Sequence, residues 1–478
     1  MVENGRCLVS SRVGRAWPGL ASAAAAWVRE HPGRIIVAVT LILGCLHLAG
    51  NVVRGVRPRI VRGDAVHYYV YTRSLVFDRD LDFENDYRDL YSLDFSVDPV
   101  PAGFSFEFGR TPTGRVRNYM AIGTPLVWLP AYLGVSGVVG AWNLAGGGYP
   151  LDGLGLVFQA VPALSGLVTG GLGLWFAFLF CRQFTPARTA LAATLSAFAG
   201  TSYLYYMLVA PSYSHAVSAC VSSGFFLFWW KTRHETRPGR YVWLGVIGGV
   251  LALVRWQDGI ALSVAVLDVV AQGRHLPTRA RRAVFACSRL ALAGASSLAV
   301  FTPQIAAWCI LYGQPFTIPQ GGDFMRWSAP AIGSVLVSPL RGLFSWTPIA
   351  SAALLGLPLA WRRSRRLALT VGFFFLASVY VNAAVVDWWA GEAFGARRFL
   401  SCFPMMALGV SMLIDGAGSL HKASRVAVAG LVFANLLLLF HYELFMLGYR
   451  ALAAYPDTWR TLWVERFLTP VRLLVSLF

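Results

Sequence analysis

The chain has 478 residues, 56% hydrophobic and only 13% charged, with 17 Trp, 31 Phe and a mean hydropathy of +0.56. A water-soluble domain keeps about a quarter of its residues charged, so this composition excludes a soluble fold and marks an all-α polytopic membrane protein. The net charge of +18 falls mostly in short loops between apolar runs. That is the signature of the positive-inside rule and anionic headgroups, not of the basic face on polar helices that nucleic acid requires.

Residues 1–34 form a basic N-terminal segment carrying Arg6, Arg12, Arg15, Arg29 and Arg34. The apolar run at 35–53 is long enough to span and has no small-residue cleavage site, so it reads as a retained anchor with a cytoplasmic N-terminus. Residues 54–152 form the one long hydrophilic interruption. Its stretch 63–91, GDAVHYYVYTRSLVFDRDLDFENDYRDLY, concentrates Asp64, Asp78, Asp80, Asp82, Glu84, Asp86 and Asp89 in a chain with only 23 acidic residues. Later in the same interval, 119–142 is apolar but broken by Gly123, Pro125, Pro130, Gly134 and Gly137, and reads as a span or a surface helix.

Residues 153–447 form a transmembrane bundle, with spans near 153–181, 188–209, 213–230, 241–256, 258–272, 284–311, 342–361, 367–386, 399–415 and 424–447. Together with the first span this predicts about eleven transmembrane helices, their bounds loose by a few residues. The tail, 448–478, is placed outside. Its Arg460, Glu465 and Arg472 among Leu, Val and Phe suit an interfacial amphipathic helix or one packed on the bundle.

Loop charge decides the role of 119–142. If that segment stays juxtamembrane or re-entrant, the basic loops 182–188, 231–240, 274–282, 362–366 and 421–425 all share the cytoplasm with the N-terminus. If it crosses, all of them fall outside, against the positive-inside rule. The first choice also gathers the acidic loop and segments 210–215, 255–258, 312–341 and 387–398 on the outer face. The seven Cys are scattered, without a CxxC pair, and imply neither a disulfide framework nor a zinc site.

Within the acidic loop, Asp64, His67, Tyr68 and Tyr71 fall at i, i+3, i+4 and i+7 and share one helix face. Following Gly63, Asp64 suits an N-cap, and a carboxylate at that place also suits a base that takes a proton from a bound hydroxyl. Asp78, Asp80, Asp82, Glu84 and Asp86 alternate, yet Phe83 stands where a calcium loop turns on Gly, which argues against a helix-loop-helix calcium site. The run reads as a solvated turn, with a single divalent cation on its oxygens as the one cofactor to consider. No metal site and no required cofactor follow from the rest of the chain. Arg255, in LVRWQDG, and Arg397 and Arg398, in WWAGEAFGARRF after Trp388, stand at the outer ends of spans. An interfacial Arg snorkels among Trp, but guanidinium groups on the same face as the acidic loop also match a phosphate or diphosphate. His215, in APSYSHA, and Gln304, in TPQ, suit helix-helix hydrogen bonds or ligand contacts.

On the stretches 63–87, SPLRGLFSWTPIA at 338–350 and WWAGEAFGARRFLSCFP at 388–404, the chain resembles the C-type glycosyltransferase superfamily. These membrane enzymes use polyprenyl-phosphate sugars, and include protein O-mannosyltransferases and the lipid A aminoarabinose transferase. The resemblance implies that Asp64, early in the first outer loop, activates the acceptor. It also implies that Arg255, Arg397 and Arg398 steady the departing lipid phosphate while a sugar moves, with inversion, to a hydroxyl of a glycan, lipid or protein. The second acidic residue common in that family is absent beside Asp64, which leaves Asp78, Asp80 or another carboxylate for that role. A location in a bacterial inner or plasma membrane, with the site on the periplasmic or extracellular side, follows from the same resemblance. A transporter or flippase would carry mid-span charges or paired broken helices in two similar halves, and the sequence has few such charges and no repeat. An O-antigen ligase or polymerase would place its long outer loop late in the chain, whereas here it is early.

Overall fold

The computed structural model describes residues 30–53, 59–93, 109–391, 393–446 and 459–476. Most of the basic N-terminus and the tail residues 447–458 lie outside them. Hydrocarbon cannot satisfy backbone N–H and C=O groups, so each apolar run closes its own hydrogen bonds as a helix, and no strand occurs among the described residues.

The helices that organise the fold are α1 (Pro32–Val53), α2 (Asp64–Arg73), α3 (Glu84–Ser92), α4 (Gly123–Leu144), α5 (Leu156–Cys181), α6 (Ala187–Ala199), α7 (Ser214–Lys231), α8 (Pro238–Val254), α9 (Leu262–Gly273), α10 (Arg279–Tyr312), α11 (Ile332–Val337), α12 (Ile349–Gly356), α13 (Ala360–Arg363), α14 (Arg365–Ala384), α15 (Phe403–Gly416), α16 (His421–His441) and α17 (Arg466–Ser476). Among the described residues, seven helical segments are long and apolar enough to cross a membrane: 32–53, 123–144, 156–181, 279–312, 365–384, 397–416 and 418–445. The protein is an integral membrane protein.

Where the structure departs from the sequence reading, the cause is local. The run expected at 188–209 breaks at Gly200, leaving α6 with 13 residues before a bend and a separate turn of helix at Tyr205–Leu208. The runs at 241–256 and 258–272 are joined by a tight turn at Trp256–Ala261, and α9 has only 12 residues, about 18 Å of rise. The run at 342–361 is divided among short helices, with Pro348 and Pro358 at the joints.

At 22 residues α4 is long enough to cross, and it packs on the start of α5. The Tyr132 ring, mid-helix, meets Phe158 near the start of α5 at 5.5 Å, and Tyr149, just past the end of α4, meets the same Phe158 at 6.4 Å. At the other end of α4, Ile122 donates its N–H to Gln304 Oε1 at 2.9 Å, and a Cβ on Gly123 would overlap the Leu253 carbonyl.

Small residues let the spans approach closely. A Cβ on Gly409 in α15 would lie 2.1 Å from the Ala353 carbonyl oxygen of α12, so only glycine fits that crossing. At the basic end, Asp268 of α9, fully buried, accepts from Trp229 Nε1 (2.9 Å), Arg240 Nη1 (2.5 Å), Gln272 Nε2 (3.0 Å), Tyr241 (3.2 Å) and Arg366. This cluster ties α7, α8, α9 and α14 together, because a buried carboxylate must be matched by donors.

The tail helix α17 packs against α16. Its Arg466 is fully buried, with its guanidinium 4.6 Å from the Trp463 ring.

Candidate active site

Four helix ends meet at the end of the bundle opposite the Asp268 cluster: the starts of α2, α7 and α15 and the finish of α8. Asp64 opens α2 because Gly63 adopts φ 54°, a left-handed conformation that favours glycine. A Cβ there would stand 2.3 Å from the Tyr213 hydroxyl, which instead accepts the Asp64 backbone N–H at 3.2 Å. The N-cap expectation is corrected: Asp64 is the first residue of the helix, and no side chain caps this end.

The freed carboxylate meets Arg397, 333 residues away along the chain. Arg397 Nη1 donates to Asp64 Oδ2 at 2.5 Å, while Nη2 donates to the Ala390 carbonyl at 2.8 Å. The Asp64 side chain is 33% exposed, enough for a hydroxyl to reach it. Burial pushes its pKa up, but the positive charges of Arg397, His67 and Arg255 outweigh that and hold the carboxyl below its ordinary value.

Beside this pair, Arg255 at the finish of α8 is in hydrogen-bond contact with His215 Nδ1, and its nearest carboxylate among the described residues, Asp258, is 4.0 Å away. Asp258 is buried and accepts from Ser218 at 2.6 Å. The ring of His215 packs on Tyr206 at 4.3 Å and on Tyr213 at 6.3 Å. Arg398 donates to both the backbone and the side chain of Asp387, each at 2.8 Å. Trp388, half-buried, follows in the same turn, its ring 5.7 Å from Trp389.

The shared helix face divides. Asp64 and Tyr68 face the core side, where the Tyr68 hydroxyl donates to Ser214 Oγ at 2.9 Å, and burial raises the pKa of that phenol. His67 turns instead to the Tyr87 hydroxyl at 2.8 Å, and Tyr71, buried against Phe83, reaches the Met120 carbonyl. Tyr71 therefore supports the helix and does not line the site.

Asp78 and Asp80 are not brought to Asp64 either. They sit past the far end of α2, where Arg73 donates to Asp78 at 2.9 Å and to Asp86 at 2.7 Å, and Ser74 donates to Asp80 at 2.8 Å. The length of α2 alone puts them about 14 Å from Asp64. The Arg73 guanidinium lies between Asp78 and Asp86, and among the described residues no group of three or more His, Cys, Asp or Glu is close enough to hold a metal. Burial, helped by the like charges of Asp78 and Asp80 and opposed by Arg73, pushes the Asp86 carboxyl up to about 7.

Sequence reasoning missed Tyr206, Tyr213, Asp258 and Asp387. A signal existed for two of them: Tyr206 and Tyr213 are hydroxyl-bearing residues inside otherwise apolar runs, in YLYYM and APSYSHA. Asp387 and Asp258 carried none, because a carboxylate at a span end matches an ordinary loop.

No protein-family model matches the chain, and no curated protein matches it. Among solved structures it is similar to the aminoarabinose transferase ArnT from Cupriavidus metallidurans in the apo state, with 17% identity, a TM-score of 0.50, and coverage of 88% of this chain and 65% of that one. It is likewise similar to ArnT from the same organism bound to undecaprenyl phosphate, at 17% identity and TM-score 0.50, covering 90% of this chain and 73% of that one. The chain thus spans just under two thirds of the length of the first of these. The fold expected from the resemblance, that of the C-type glycosyltransferases, is the fold the chain has.

Proposed function

We propose that this chain, with the fold of the C-type glycosyltransferases, is an inverting glycosyltransferase that moves a sugar from a polyprenyl-phosphate carrier to an acceptor hydroxyl at the outer face of the membrane. The observation that carries this reading is the meeting of Asp64 with Arg397, next to Arg255 and His215, at one end of an apolar bundle. A base and cations at a membrane surface are what a displacement on a lipid-phosphate sugar needs. The likeness to a structure bound to undecaprenyl phosphate is support from a neighbour.

In the reaction, the acceptor oxygen attacks the anomeric carbon as the bond from that carbon to the carrier phosphate breaks. The hydroxyl proton passes to Asp64, and the bonding pair leaves on the phosphate oxygen. Phosphate is a good leaving group, so holding and neutralising it suffices. Of the three guanidinium groups, Arg397 is engaged by Asp64 and Arg398 by Asp387. Arg255, with no carboxylate nearer than 4.0 Å among the described residues, is the best placed to receive the phosphate, with His215 orienting it. Arg397 keeps Asp64 ionised and aimed.

With α4 juxtamembrane, the loop charges favour a site facing outward. The test is transfer by the purified protein from a panel of undecaprenyl-phosphate sugars, pentose and hexose, to lipid, glycan and peptide acceptors. Absence of transfer from every donor, with the carriers shown to bind, overturns the proposal.

A further inference from the structure

Starting at the end of the bundle remote from Asp64 and running along α14, a cavity of about 800 Å³ opens between that helix on one side and α11, α12 and α13 on the other. Its wall on α14 extends from Ala368 to Tyr380, about 18 Å by helix rise, or a little over half the 30 Å hydrocarbon thickness of a bilayer. That is enough to take an acyl chain through one leaflet. Leu369 and Trp361 on its walls are 60% and 48% exposed, so the groove opens sideways to lipid. A Cβ on Gly372 would meet nothing within 4 Å, so the groove has room at mid-depth. Leu336 and Phe344 wall the end nearest the site.

The lining is apolar except for Arg362. In the run Arg362–Arg366, two of the arginines are already satisfied, Arg363 by Asp415 and Arg366 by Asp268. Among the described residues neither Arg362 nor Arg365 is ion-paired, and Arg365 rests over the Trp361 ring at 5.6 Å. An apolar slot deep enough for an acyl chain of one leaflet, with unmatched guanidinium at its mouth and a Trp at interfacial height, is complementary to one chemistry.

We infer that this groove binds a two-chain anionic phospholipid from the leaflet opposite the active site, its phosphate at Arg362 and one acyl chain lying along Gly372. The lipid fills a slot that protein side chains leave open and braces α14. On the same wall, Phe375 packs on Phe399, two residues beyond Arg397, at 6.4 Å, so the lipid supports the segment that aims Arg397. The site stands apart from the proposed transfer reaction and does not depend on it.

The test uses the full chain in detergent and native mass spectrometry with phosphatidylglycerol, phosphatidylcholine and undecaprenyl phosphate as probes. Phosphatidylglycerol is expected to be retained about fivefold more than phosphatidylcholine, the contribution of one basic residue at an anionic headgroup. Arg362→Gln should bring that ratio to about one. Gly372→Phe, which grows into the groove from a position whose Cβ would meet nothing within 4 Å, should lower retention of both lipids while leaving the unfolding midpoint in detergent unchanged. Equal retention of both lipids by the wild type, a preference that survives Arg362→Gln, or displacement of phosphatidylglycerol by undecaprenyl phosphate would each overturn the inference.

Discussion

Replacing Asp64 by Asn keeps the shape of the side chain and an oxygen for Arg397 to donate to, while removing the negative charge and the ability to take a proton. The Asp64 and Arg397 side chains are 33% and 15% exposed, so solvent screens the pair and the substitution should cost only about 1 kcal/mol of stability. Loss of a general base, by contrast, costs about 100- to 10,000-fold in rate, roughly 3 to 5 kcal/mol of barrier. The expected result is transfer reduced by that factor with a nearly unchanged unfolding midpoint. The assay is radiolabelled or mass-resolved sugar transfer from undecaprenyl-phosphate donors in detergent or nanodiscs, with thermal unfolding measured on the same preparations. Because the surrounding cations hold the carboxyl below its ordinary value, Asp64 stays ionised across the neutral range. Its contribution to stability is present above the unfolded value and is lost as pH falls through the lower folded one. The acid limb of the wild-type rate profile should therefore lie below about pH 4. Undiminished transfer by Asp64→Asn, or an acid limb near neutrality, would refute the role given to this residue.

Gly63→Ala places a methyl 2.3 Å from the Tyr213 hydroxyl at a positive φ, so it should displace the start of α2 and reduce transfer by at least about tenfold, with a modest fall in unfolding midpoint. Asp268→Ala leaves Arg240 and Arg366 unmatched in a buried cluster and should destabilise by about 3 to 5 kcal/mol, read as a lower thermal midpoint, while carrier binding at the opposite end persists in whatever protein remains folded. Asp86 keeps its proton in the folded state up to about pH 7. The stability tied to that proton is fully present below the unfolded value near pH 4 and is lost as pH rises toward 7, and Asp86→Asn should flatten this slope in midpoint-against-pH measurements. Gly409→Leu would force α15 away from the Ala353 carbonyl and is expected to lower the yield of folded protein several-fold in size-exclusion chromatography.

Much of the architecture was legible in the order of residues, because hydrocarbon imposes a rule that composition obeys: apolar runs of span length become helices, and charge is expelled to their ends. Asp64, Arg255 and Arg397 stood out for the same reason, as charged groups at the borders of runs that otherwise exclude them. The limits were equally physical. Helices α6 and α9 fall short of the expected spans because Gly200 and the turn at 256–261 break hydrogen bonding without interrupting hydrophobicity, and hydropathy does not register a bend.

The pattern of residues alone determined a membrane bundle, its basic and equipped ends, and the types of group that gather at the equipped end. Only the tertiary structure decided which of them touch. Asp64 and Arg397 are separated by 333 residues and joined by one hydrogen bond, whereas Asp78 and Asp80, close to Asp64 in the chain, are turned away to Arg73 and Ser74. Pairing depends on distance in space, and a helix of ten residues carries neighbours in sequence well beyond the few ångströms over which a carboxylate and a guanidinium can share a proton-bearing contact.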